Sequence, residues 1–150
     1  MADDTISVHA DPVWRGRSNF IIRAALPEDG RVEQLWATQV ADHRFELCCI
    51  PFFLYDVALG DVVETDQQYQ VTRVVQPSGR YVFRVWFGDS HHPQDEIVAG
   101  VAALGALVER SSEHLLAVDA ENAVVAKAVA DFLQGHEDRQ HLMYETGRTT

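Results

Sequence analysis

Residues 45–65, FELCCIPFFLYDVALGDVVET, constrain the fold of this chain more than any other stretch. They form its most apolar segment and carry both cysteines, a proline and a Gly-Asp turn signal. Residues 45–50 read as a strand that Pro51 ends or marks as an edge, because proline cannot donate to a ladder. Residues 52–58 then form an apolar connection. Gly60 supplies a turn by its freedom to take positive φ, and residues 62–65 start the next strand. A β-structure organised on this spine is the natural expectation.

Length and charge set the outer limits. A chain of 150 residues fits one compact domain and needs no disulfide or metal staple. Cys48 and Cys49 are adjacent, so in a strand they face opposite ways and do not pair; both read as small buried hydrophobes of a reducing compartment. Acidic residues number 23 against 12 Lys and Arg, a formal net charge of −11. With a single lysine and no basic run, the chain is unsuited to nucleic acid or an anionic membrane, and suits a protein or peptide partner of basic character. No apolar run approaches the roughly 20 residues of a membrane span. The acidic N-terminus lacks a signal peptide's features, so a cytoplasmic location is expected.

Along the chain, residues 1–12 read as a flexible N-terminus, 13–135 as a single α+β domain and 136–150 as a polar tail. Residues 31–40 and 45–50 form a hairpin, with Leu35, Ala37 and Gln39 on one side. Residues 69–75 and 80–87 form a second, around Pro77-Ser78-Gly79. Its register sets Arg73 opposite Arg84 and Val71 opposite Trp86, with Phe83, Val85 and Phe87 on the core face. Ile97, Val101, Leu104 and Val108 recur on one face of a helix over residues 94–111. A strand at 115–118 and a helix at 123–135, capped by Asp119 or Asn122, follow. The fold expected is a small SH3-like antiparallel barrel or sheet over residues 31–76, then a strand-helix-strand-helix half of ferredoxin-like type over 80–135.

Three motifs in order, Ile50-Pro-Phe-Phe53, Gly60-Asp-Val-Val63 and the Val74–Val85 stretch with its Ser78-Gly79 and Arg84-Val85, resemble the DUF4265 family of bacterial proteins of unknown function. The resemblance spans roughly residues 32–133. It implies one domain of bacterial origin and carries no reaction with it.

The expected site follows from the two arginines. Like charges facing each other across strands destabilise a sheet, and arginine does not deprotonate to escape. Asp56, Asp61 and Glu64 are the internal carboxylates that would neutralise Arg73 and Arg84; otherwise the arginines are left for an external carboxylate or phosphate, with Trp86 as a groove wall. Asp61 after Gly60 is also explained by turn chemistry. His91 and His92, with Asp89 and Asp95, read as a solvated loop and not a metal site. No nucleophile elbow, phosphate-cradling loop or dinucleotide fingerprint is present, so no cofactor and no catalytic residue is assigned. The sequence therefore points to an interaction module, of accessory or immunity type. The alternative is a small enzyme or tailoring protein that binds an anionic substrate on the arginine face. Trp14, Phe20, Ile21 and Ile22 are the segment through which a homo-oligomer would form.

Overall fold

Alternating burial of Glu33, Leu35 and Ala37 makes the long strand at Arg31–Ala41 the centre of one layer. The computed structural model describes residues 5–28, 30–88 and 94–148. The first sheet contains β1 (Thr5–Ser7), β2 (Phe20–Ala25), β3 (Arg31–Ala41), β4 (Arg44–Leu47), β5 (Val62–Thr65) and β6 (Val71–Gln76). β1 lies parallel to β3, while β2 and β4 pair with it antiparallel, and β5 and β6 extend the path. One parallel bridge, Arg23 to Gln70, brings β2 to β6. The sheet curls but forms no closed barrel.

The second sheet contains β7 (Tyr81–Trp86), β8 (Leu107–Arg110), β9 (Leu115–Ala120) and β10 (Met143–Thr146), in the order β10-β7-β9-β8, all antiparallel. Helices α1 (Gln94–Ala103) and α2 (Ala123–Asp138) interleave with these strands, and Ile97, Val101, Val129 and Leu133 pack on Phe83, Val85 and Val118. The opposite face meets the organising segment through Ile50, Phe52, Leu59, Val82 and Ala117. β7 and β9 are therefore covered on both faces, and all six residues of β9 are buried. A strand buried on both sides reads as a continuous apolar run, as LLAVDA does. Among the described residues no helix is long and apolar enough to cross a membrane.

The mixed α+β class agrees with expectation; several details do not. The hairpin of residues 69–75 with 80–87 does not exist. β6 pairs with β5, whereas β7 pairs with β9 and β10 in the other sheet. Arg73 consequently lies opposite Glu64, and Arg84 opposite Ala117 and Glu145. The physical reason is that β7 has two apolar faces and needs two covering layers, which a surface hairpin cannot supply. The expected helix over 94–111 stops at Ala103, because Gly105 at φ 96 reverses the chain and the Ala106 N–H bonds back to the Val101 carbonyl. The rest of that segment is β8. Asn122 caps α2 through the Val125 N–H, while Asp119 is buried in β9 and pairs with Arg80 at 2.6 Å. From Thr5 the arm contributes β1, and the polar tail contributes β10 as an edge strand.

The Gly60-Asp61 turn locks the organising segment. Gly60 has φ 82, and a Cβ there would sit 3.1 Å from the Cβ of Ser78 and 3.5 Å from the Trp14 ring. Asp61, buried, accepts from the Ala58 and Ser78 N–H groups at 2.9 and 2.7 Å. Gly60→Ala adds left-handed strain to this crowding and is expected to destabilise by about 1–3 kcal/mol. A chemical-denaturation midpoint unchanged by the substitution would contradict that account.

Candidate functional site

Residues 51–58 cross between the two sheets without joining either, so their backbone N–H groups need other acceptors. The buried Glu33 takes three of them, and the buried Glu109 holds the chain just before the segment. Glu33, on the core face of β3, accepts from Phe52 at 2.7 Å, Phe53 at 3.0 Å and Leu54 at 3.1 Å. Glu109, on β8, accepts from Ile50 at 2.6 Å and Val13 at 3.3 Å.

His9 fills the space between the two acids. Its Nε2 lies 2.7 Å from Glu33 Oε2 and its Nδ1 2.7 Å from Glu109 Oε1, and its ring stacks on Phe52 at 3.9 Å between centroids. Burial alone would lower the His9 pKa. Side-chain hydrogen bonds to Cys49, Glu109 and Glu33 outweigh it and push the value up to about 12. His9 is thus an imidazolium donating from both nitrogens, one to each sheet. The arm ties the layers together through this contact.

Cys49 lies beside His9, but the pairing does not make a nucleophile. Burial raises the Cys49 thiol pKa despite its hydrogen bond with His9, and the residue has no solvent exposure. Burial also pushes Cys48 up, to about 11. Both thiols are expected to resist alkylation in the native protein and to react after unfolding; a thiol titrating under native conditions would contradict this.

On the far side of Phe52 a cleft of about 350 Å³ opens, walled by Phe53, Tyr55, Trp86, Leu115 and Met143. Its floor holds Arg84, which is only 4% exposed. Arg84 Nη2 donates to the Leu54 carbonyl, and its guanidinium stands 4.5 Å from the Tyr55 ring centroid. Nε and Nη1 make no hydrogen bond among the described residues. Glu145 on β10 lies 3.8 Å from Nη1, and Tyr55 donates its hydroxyl to Glu145 Oε1 at 2.6 Å. This hydrogen bond to Glu145, with burial adding to it, raises the Tyr55 pKa and keeps the phenol protonated. A buried cation with two nitrogens that make no hydrogen bond, bordered by exposed Trp86 and Met143, is chemically suited to an anion on an apolar carrier.

The expected site residues separate. Arg84 and Trp86 meet in the cleft. Arg73 does not join them: its Nε donates to Glu64 Oε1 at 3.1 Å on the outer face of the first sheet, and Arg44 lies 3.5 Å from the same carboxylate. Arg73 heads the causes that hold the Glu64 carboxyl below its usual range. Asp61 serves the turn, and Asp56 at φ 64 shapes the crossing segment, its N–H bonded to the Gly147 carbonyl. Asp89, His91 and His92 lie outside the described residues. Among those described, no group of three or more His, Cys, Asp or Glu is arranged to hold a metal ion. Sequence reasoning missed Glu33, His9 and Glu109. Glu33 left a signal, since it shares the strand face of Leu35 and Ala37. Glu109 was hidden by the helix assigned over it, and nothing in the sequence marks His9.

Fold and cleft together define a two-sheet α+β protein with an arginine at the floor of an apolar recess. The pattern described as "Domain of unknown function (DUF4265)" matches residues 33–144, and the chain belongs to this family. No curated protein matches the sequence. A hypothetical protein from Neisseria gonorrhoeae of known crystal structure is similar in fold, with a TM-score of 0.71 and 19% identity over 87% of this chain and 96% of that one.

Proposed function

We propose that this protein is an interaction module whose cleft receives an anionic group carried on an apolar residue of a peptide. The observation that carries the reading is the buried Arg84 guanidinium with Nε and Nη1 unbonded. The net charge of −11 adds that the remainder of such a peptide is basic, facing the acidic surface while its anionic end enters the recess. On this reading the order β10-β7-β9-β8, built from a strand-helix-strand-strand-helix-strand succession, supports a complete ferredoxin-like unit, and the curled first sheet supports an SH3-like one.

The enzyme alternative uses the same cleft for an anionic substrate, yet His9, stacked on Phe52, and Cys49 are both buried, and neither is set up for acid–base or nucleophilic work. A library of short peptides with varied termini, screened by ligand-observed NMR, tests the proposal. Binders should combine an anionic end with an apolar residue and should be lost in Arg84→Met. Binders indifferent to Arg84, or none at all, would overturn it.

A further inference from the structure

Glu145 stands across the strand pair from Arg84, and its carboxylate forms an ion pair with the guanidinium. Yet it does not complete the site. Its Oε1 is 3.8 Å from Nη1, beyond hydrogen-bond range, and takes its one short bond from the Tyr55 hydroxyl. Its side chain is 52% exposed, so it can turn into water at little desolvation cost.

Arg84 Nε and Nη1 are closed off from solvent, so a ligand reaches them only when a covering group moves aside. Glu145, half exposed and 3.8 Å from Nη1, is a neighbour free to do so. We infer that Glu145 is a resident stand-in for the carboxylate of a peptide C-terminus, displaced from Arg84 and Tyr55 when a chain ending in an apolar residue enters the cleft.

Charge selects the carboxylate. Among the described lining residues Arg84 is the one cation, set against Glu28 and Glu145. A single guanidinium and a phenol hydroxyl match the two oxygens of a monoanion, whereas a phosphate dianion would meet two acids with one compensating charge. The side chain of the terminal residue then lies against Trp86, 47% exposed, and Met143, 64% exposed. Because Glu145 occupies the site in the free protein, apparent affinity is reduced by the fraction of molecules in which it does so.

This rests on the cleft reading above, and N-acetyl-L-phenylalanine and its amide are probes that separate the two. Titrated by calorimetry against the whole chain, the acid should bind and the amide should not. Glu145→Gln and Glu145→Ala should each bind the acid about tenfold more tightly, by removing the competitor and its like charge, and Arg84→Met should not bind it. If wild type binds the acid through Arg84 but both Glu145 variants bind equally or more weakly, the stand-in is overturned and the cleft reading stands. Failure of wild type and of both Glu145 variants to bind would overturn both.

Discussion

Glu33→Ala is expected to lower unfolding stability by roughly 3–5 kcal/mol, the range for breaking a buried charge pair by removing one partner. The carboxylate accepts from three consecutive backbone N–H groups and from His9. Without it those donors are stranded where water does not reach, and Glu109 is left to hold the buried imidazolium alone. Glu33→Gln keeps the shape but removes the charge, and should fall between alanine and wild type. Urea unfolding followed by far-ultraviolet circular dichroism measures both; a loss below about 1 kcal/mol for alanine would show that the crossing segment is held by other contacts.

The same cluster gives stability a pH dependence of definite sign. Folding raises the His9 pKa from 6.5 to about 12. A group whose pKa is raised on folding contributes fully below its unfolded value and loses that contribution as pH climbs to its folded value. Stability from His9 is therefore complete below about pH 6.5 and declines between there and pH 12. In His9→Gln this alkaline slope should be missing; an equal slope in both proteins would assign it to other groups.

Arg84→Met is expected to separate binding from stability. A buried guanidinium with two nitrogens that make no hydrogen bond is expensive to hold, and its ion partner Glu145 is exposed enough to be solvated once the cation is gone. Stability within about 1 kcal/mol of wild type, or above it, is therefore expected, together with loss of N-acetyl-L-phenylalanine binding. A destabilisation above 3 kcal/mol would recast Arg84 as a structural tie, holding Leu54 through its carbonyl and Tyr55 through its ring.

The β3–β4 hairpin was legible because its apolar residues alternate with a period of two and its turn residues are polar. The Gly60-Asp61 turn was legible because glycine at positive φ followed by a short acceptor is local chemistry. Gly105 carried the same kind of signal. It was overridden by a helical spacing that ran on through Leu104 and Val108, and Glu109 was lost with it. The pairing of Arg73 with Arg84 failed for a different reason. Pro77-Ser78-Gly79 is a good hairpin turn, and only competition between two sheets for β7 sends the chain elsewhere.

By itself the sequence determined the α+β class, the family, the burial of the cysteines and the central place of residues 45–65, because each depends on local periodicity, composition or motif spacing. Tertiary structure alone decided that the apolar connection after Pro51 spans two sheets, that Glu33, His9 and Glu109 secure it, and that Arg84 rather than Arg73 faces a cleft. These contacts join residues up to 100 positions apart, such as His9 and Glu109. No local pattern encodes them, since they form only when two separately built layers close on the same segment.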